Sequence, residues 1–379
     1  MFEANRLSTY IFFMANGLFY GCWTARIPVF AETFDLGEAM LALLFFNMAC
    51  GAATSMLASP ILLRRFGSLR LARALGLVMG FGFLGLIMAT GSLGIAAALF
   101  LMGFGGGGMD IAMNAYGSKV ERAAGISLMS GFHGSWSLGT TIGGLSAFLT
   151  ISAGLSTAVH FAIMWGMIIA LAFCFDRAKP FDTAATTEAP FRALKELLKF
   201  GPIRIICAIA LLSFVAEGLV MDWGGLLFVD ALTASESQAA LAVTVFTGCM
   251  MVARLLGDRV INSFGPRQSF LAALSVAILG MVILLASAAP WGGYAGLALM
   301  GIGLSVLVPI AFSTAPLLAK DREEEAIALV GMIAYFGLLS GPVLIGFVAE
   351  LISLKTSFAL FGVFFVIALT ANKVLKRKF

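Results

Sequence analysis

The chain alternates long apolar runs with short polar breaks, and each run approaches the ~20 residues that a helix needs to cross a bilayer. Six runs occupy residues 7–30, 38–63, 71–90, 93–116, 126–151 and 155–175. Six more occupy 205–228, 237–256, 269–288, 291–318, 326–351 and 357–374. The runs are continuous, which argues against a transmembrane β-barrel, whose strands read as alternating segments of about ten residues. The pattern predicts an all-α membrane protein of about twelve spanning helices in two pseudo-symmetric six-helix bundles. The bundles are expected at residues 1–176 and 205–379, with a cytoplasmic linker at 177–204. In that linker Pro190 opens a possible amphipathic surface helix, with Phe191, Leu194, Leu197 and Leu198 on one face.

Composition supports the membrane reading. Of 379 residues, 60% are hydrophobic and 12% charged, whereas soluble domains carry roughly 25% charged residues. The 43 glycines suit helices whose backbones approach closely. Of the 24 Lys and Arg residues, all but Arg26 and Lys355 fall in alternate loops and at the termini. That asymmetry supports an even number of spans and puts both termini in the cytoplasm. The basic residues form no single patch, so nucleic acid is not an expected partner. The five cysteines lack ligand spacing, so neither a metal nor another cofactor is expected. The glycines at 103 and 105–108 precede no Lys-Ser/Thr, so they do not read as a phosphate loop. They would either loosen their helix or let another approach. The apolar run at the N-terminus carries no cleavage-site pattern and reads as a retained first helix.

The two halves resemble each other at an offset of about 200 residues. A-N-G-L-F-Y-G-C-W from Ala15 pairs with A-E-G-L-V-M-D-W from Ala216. Phe46 and Asn47 pair with Phe246 and Thr247. R-R-F-G ending at Gly67 pairs with N-S-F-G ending at Gly265.

The string G-D-R-V-I-N-S-F-G-P-R, from Gly257 to Arg267, resembles the loop signature of the major facilitator superfamily. Its first copy, around Arg64, Arg65 and Gly67, has Pro60 where Asp258 aligns, and so lacks the acidic member of the family's charge clamp. Further strings are D-I-A-M-N from Asp110, Glu121-Arg122, M-S-G-F-H-G-S-W-S-L-G from Met129, Asp222-Trp223 and G-P-V-L-I-G-F-V-A-E from Gly341. They are similar to a YbjJ-type branch of bacterial inner-membrane proteins, loosely related to fucose-permease-like symporters. The resemblance implies a multi-pass transporter of the bacterial inner membrane, and a cytoplasmic gate cluster of Arg254, Asp258 and Arg259.

An ionisable group in hydrocarbon is costly, so it marks a cavity or a partner. Glu217 lies ~18 Å into the seventh run and Asn16 at a similar depth in the first. Asp110 and Asn114 share a face at i, i+4, and His133 lies at a matching depth on the next run. Glu217, Asp110 and His133 are the proton-coupling candidates, each weighed against a purely structural hydrogen bond. Asn16, Tyr20 and Trp23 form one stripe. With Asn47, Asn114, Trp136 and Trp223 they are the substrate-binding candidates, since aromatic faces beside amides suit a sugar. Arg26 and Asp222 could pair to close the outer side, although snorkelling explains Arg26 equally well. His160 reads as incidental.

These readings converge on a non-enzymatic secondary transporter, a monomer in the lipid bilayer that moves a small polar, sugar-like solute by alternating access and couples it to protons through these carboxyls and the histidine.

 The alternatives are efflux of apolar or cationic drugs, for which the 19 Met and 34 Phe would make an adaptable pocket, and a non-transporting membrane sensor or scaffold with no central polar cavity.

Overall fold

The computed structural model describes residues 2–124, 128–175, 196–319 and 322–370. All regular structure among them is helical: α1 Phe2–Thr33, α2 Glu38–Phe66, α3 Ser68–Met88, α4 Ser92–Ala124, α5 Met129–Ser152, α6 Thr157–Phe175, α7 Gly201–Leu232, α8 Glu236–Ala286, α9 Pro290–Leu304, α10 Leu307–Leu318, α11 Glu323–Leu351 and α12 Leu354–Thr370. Eight helical segments among the described residues are long and apolar enough to cross a membrane. Most of the linker helix expected from Pro190 lies outside the described residues. At its end, Lys199 donates to Glu196 at 2.8 Å on an exposed surface, and that bond holds the Glu196 carboxyl below its ordinary range.

Two helix boundaries differ from the apolar runs, each for a backbone reason. α8 contains two of the expected spans, joined at a kink at Gly265. The expected span 291–318 divides into α9 and α10 around Ser305 and Val306. Pro309 lies four residues beyond Ser305 and has no N–H to donate to its carbonyl, so the helical ladder breaks there.

The chain forms two compact units, residues 1–185 with 235–244, and residues 186–234 with 245–379. In the first, α1 packs along α5, and α4 packs along both α2 and α3. In the second, α7 packs along α11, and α9 lies against both limbs of α8.

Glycines set these contacts, and they repeat at a constant step of 198 residues. A Cβ at Gly82 would meet the backbone of Ala98 and Met102, and one at Gly280 that of Gly296 and Met300. A Cβ at Gly103 would overlap the Met48 carbonyl, and one at Gly301 the Phe246 carbonyl. Gly105 stands against Leu75 and Met79, and Gly303 against Ala273 and Ala277. The same backbone positions therefore touch in both halves, which is the physical content of the repeat. This step pairs Met48, not Phe46, with Phe246, so the pairing of Asn47 with Thr247 read from the sequence is two residues out of register. The glycine run of α4 leaves its helix continuous and serves close approach.

Gly67 and Gly265 are separated by the same step. Both adopt nearly one conformation, φ 74° ψ 156° and φ 78° ψ 157°, a region almost closed to residues with a Cβ. Neither has a neighbour that a Cβ would strike, so the constraint is conformational alone. Gly67→Ala and Gly265→Ala should each cost about 1–3 kcal/mol, and by similar amounts, measured as loss of thermal stability of the solubilised protein.

Candidate functional site

In the first unit, the polar candidates of α1 and α5 meet. The buried Asn16 accepts a hydrogen bond from Trp136 Nε1 at 2.9 Å. Its amide donates to the Gly106 carbonyl of α4 at 3.3 Å. One side chain thus ties three helices, and the glycine run explains why the α4 carbonyl is near enough to be reached. Tyr20 lies one turn further along α1, with its ring 6.0 Å from that of Trp136. Asn16, Tyr20 and Trp136 therefore form one cluster. Asn16→Leu keeps the volume but strands the Trp136 N–H and removes the tie to α4. It is expected to cost about 1–3 kcal/mol of stability, read by thermal unfolding.

Other candidates fall elsewhere. Trp23 is 1% exposed, packs edge-on against Phe30 at 5.6 Å, and its Nε1 has no hydrogen-bond partner among the described residues. Asn47 donates to the Ala96 carbonyl, fastening α2 to α4. Asn114 donates to both the carboxylate and the backbone carbonyl of Asp110, at 3.2 Å and 2.9 Å, so this i, i+4 pair meets as its spacing predicts. His133 is exposed on α5 and lies edge-on to Phe13 at 5.1 Å. Glu121, at the end of α4, accepts from the backbone N–H groups of Leu128 and Met129 at 2.6 Å and 2.7 Å. It thereby places a negative charge at the start of α5, where the helix dipole favours one.

Arg26 differs from its expected role. It is 2% exposed, and its hydrogen bonds stay within its own unit. Nε donates to His160 Nδ1 at 3.2 Å, Nη1 to Thr157 at 3.3 Å, and Nη2 to Thr150 at 2.9 Å and to the Leu155 carbonyl at 3.3 Å. Snorkelling is replaced by a cage of neutral acceptors from α5, α6 and the turn between them. His160, read as incidental from its place near a helix end, is fully buried within that cage.

In the second unit, Glu217 of α7 is not an isolated carboxyl. Arg254 of α8 donates to it at 3.0 Å, with side chains 20% and 16% exposed for Arg254 and Glu217. Arg254 therefore turns to Glu217. Arg259 is exposed, and the side chain of Asp258 lies outside the described residues. Asp222 and Trp223 are buried in α7. Among the described residues, no group of His, Cys, Asp and Glu is arranged to hold a metal ion.

A profile described as the Major Facilitator Superfamily matches residues 206–377. An uncharacterized transporter, y4wD of Sinorhizobium fredii (strain NBRC 101917 / NGR234), is 29% identical over 365 residues, covering 96% of each chain. Among solved structures, the nucleoside transporter NupG superposes with a TM-score of 0.74 at 13% identity, over 99% of each chain. The E. coli fucose:proton symporter FucP superposes with a TM-score of 0.63 at 14% identity, over 97% of this chain and 98% of that one.

Proposed function

We propose that the chain, whose residues 206–377 match the Major Facilitator Superfamily profile and which is similar along 96% of its length to an uncharacterized transporter, is a multi-pass membrane carrier of that family that moves a small polar organic solute by alternating access, coupled to protons. The observation that carries this reading is the Glu217–Arg254 pair. Two opposite charges within spanning helices are costly to retain and are characteristic of substrate and ion pathways. A proton arriving on Glu217 would cancel the pair, and a proton leaving would restore it, so protonation is linked to the ion pair that joins α7 to α8. The Asn16–Trp136–Tyr20 cluster supports a solute that offers both a ring face and hydrogen-bonding groups. The fold neighbours named for a nucleoside and for fucose with a proton favour the same class. The placement of basic residues supports an inner-membrane protein with both termini cytoplasmic.

The test is a flux screen in proteoliposomes over sugars, nucleosides and small acids, with and without an imposed inward proton gradient. A solute whose uptake rises with the gradient supports the proposal. Uptake of lipophilic cations alone, with no polar solute carried, would replace it with the drug-efflux reading.

A further inference from the structure

We propose that His160 is a proton-binding site held closed by Arg26, so that the imidazole takes a proton only when the guanidinium leaves. The geometry determines the tautomer. Arg26 Nε–H can only donate, so His160 Nδ1, 3.2 Å away, must accept and carries no proton. The proton of the neutral ring is then on Nε2, which lies 2.9 Å from Ser146 Oγ. Ser146 in turn donates to the Gly143 carbonyl at 2.6 Å, leaving its oxygen to accept from the imidazole and, at 3.8 Å, from the Cys22 thiol. The network is closed, and adding a proton at Nδ1 breaks it at one point. The bond from Arg26 is lost, and two cations face each other away from water.

The groups facing this ring are Arg26 from α1, Ser146 from α5 and, around Arg26, Thr150 and Thr157. Among the described residues no carboxylate accepts from the caged guanidinium, but one stands near. Glu236 at the start of α8 acts electrostatically on Arg26 and shares a hydrogen bond with Glu32 at the end of α1. A guanidinium leaving the cage therefore has an acidic pair to move toward, while the vacated Nδ1 becomes free to bind a proton. Its place in a transport cycle rests on the function proposed above; the mutual exclusion of proton and guanidinium does not.

With only two histidines in the chain, His133→Gln leaves His160 as the sole imidazole. Nitrogen NMR of the full-length, 15N-histidine-labelled protein in nanodiscs then reads each ring nitrogen directly, without a substrate. The expected result is one neutral tautomer, protonated at Nε2, with under about a tenth imidazolium near pH 6. Adding Arg26→Gln should raise the imidazolium share at the same pH to about half or more. A ring protonated at Nδ1 in the parent, or an unchanged share once Arg26 is replaced, would overturn the proposal. If Arg26→Gln does not fold, the tautomer of the His133→Gln protein still decides. Failure of the flux screen would count against the transporter reading without touching these spectra.

Discussion

Glu217→Gln alone is expected to destabilise the solubilised protein by about 3 kcal/mol, and Glu217→Gln with Arg254→Gln together by markedly less than the sum of the two single changes. Removing one partner leaves the other charge in a site where its neighbour is only 16–20% exposed. Removing both leaves two neutral amides that can bond each other. Unfolding of the four proteins of this cycle in mixed detergent gives the coupling. Strict additivity would mean that the 3.0 Å contact contributes nothing, and Glu217 would then behave as an isolated carboxyl after all.

The second large effect is at the seam between α1 and α5. A Cβ on Gly21 would overlap the Thr140 carbonyl, and one on Gly17 the Trp136 carbonyl. From the other side, Gly139 and Gly143 stand equally close to Met14 and Leu18. The obstacle is backbone on both helices, so no rotamer change relieves it. Gly21→Ala is expected to cost ~3 kcal/mol or more, and Gly21→Val to abolish the folded, monodisperse protein. Gly166, with open space around its Cβ position, is the control: Gly166→Ala should leave stability within about 0.5 kcal/mol. Monodispersity by size exclusion and the thermal midpoint read both. A tolerated Gly21→Val would mean that the helices are not packed this closely.

The seam also separates what the residues disclose from what they conceal. Apolar run length disclosed the helices, because crossing a bilayer imposes one length on every span. The matching turns at Gly67 and Gly265 were legible because a conformation open only to glycine leaves a glycine in both copies. The break between α9 and α10 was also visible in principle, as Pro309, but hydropathy alone does not see a missing N–H.

Partners were less legible than candidates. Residue type marks Glu217, Arg26 and Asn16 as costly inside a membrane, but which neighbour satisfies each depends on helix rotation and pairing. Asn16 and Trp136 were both named as candidates, yet their bond is a tertiary fact. For Arg254 a signal did exist. Glu217 lies 15 residues before the end of α7 and Arg254 18 residues after the start of α8. On consecutive antiparallel helices that puts them within about a turn of the same depth. The family resemblance instead places Arg254 in a cytoplasmic gate cluster. For His160, sequence position near a helix end suggests exposure, whereas the α1–α5–α6 packing encloses it.

The central claim, a carrier whose proton coupling runs through Glu217, is tested most directly by comparing two modes of transport in proteoliposomes for a solute found by the flux screen. In Glu217→Gln, exchange of labelled for unlabelled solute should persist, while accumulation driven by an imposed proton gradient should fall to the level of the no-gradient control. Accumulation that still follows the gradient in that variant would contradict the account.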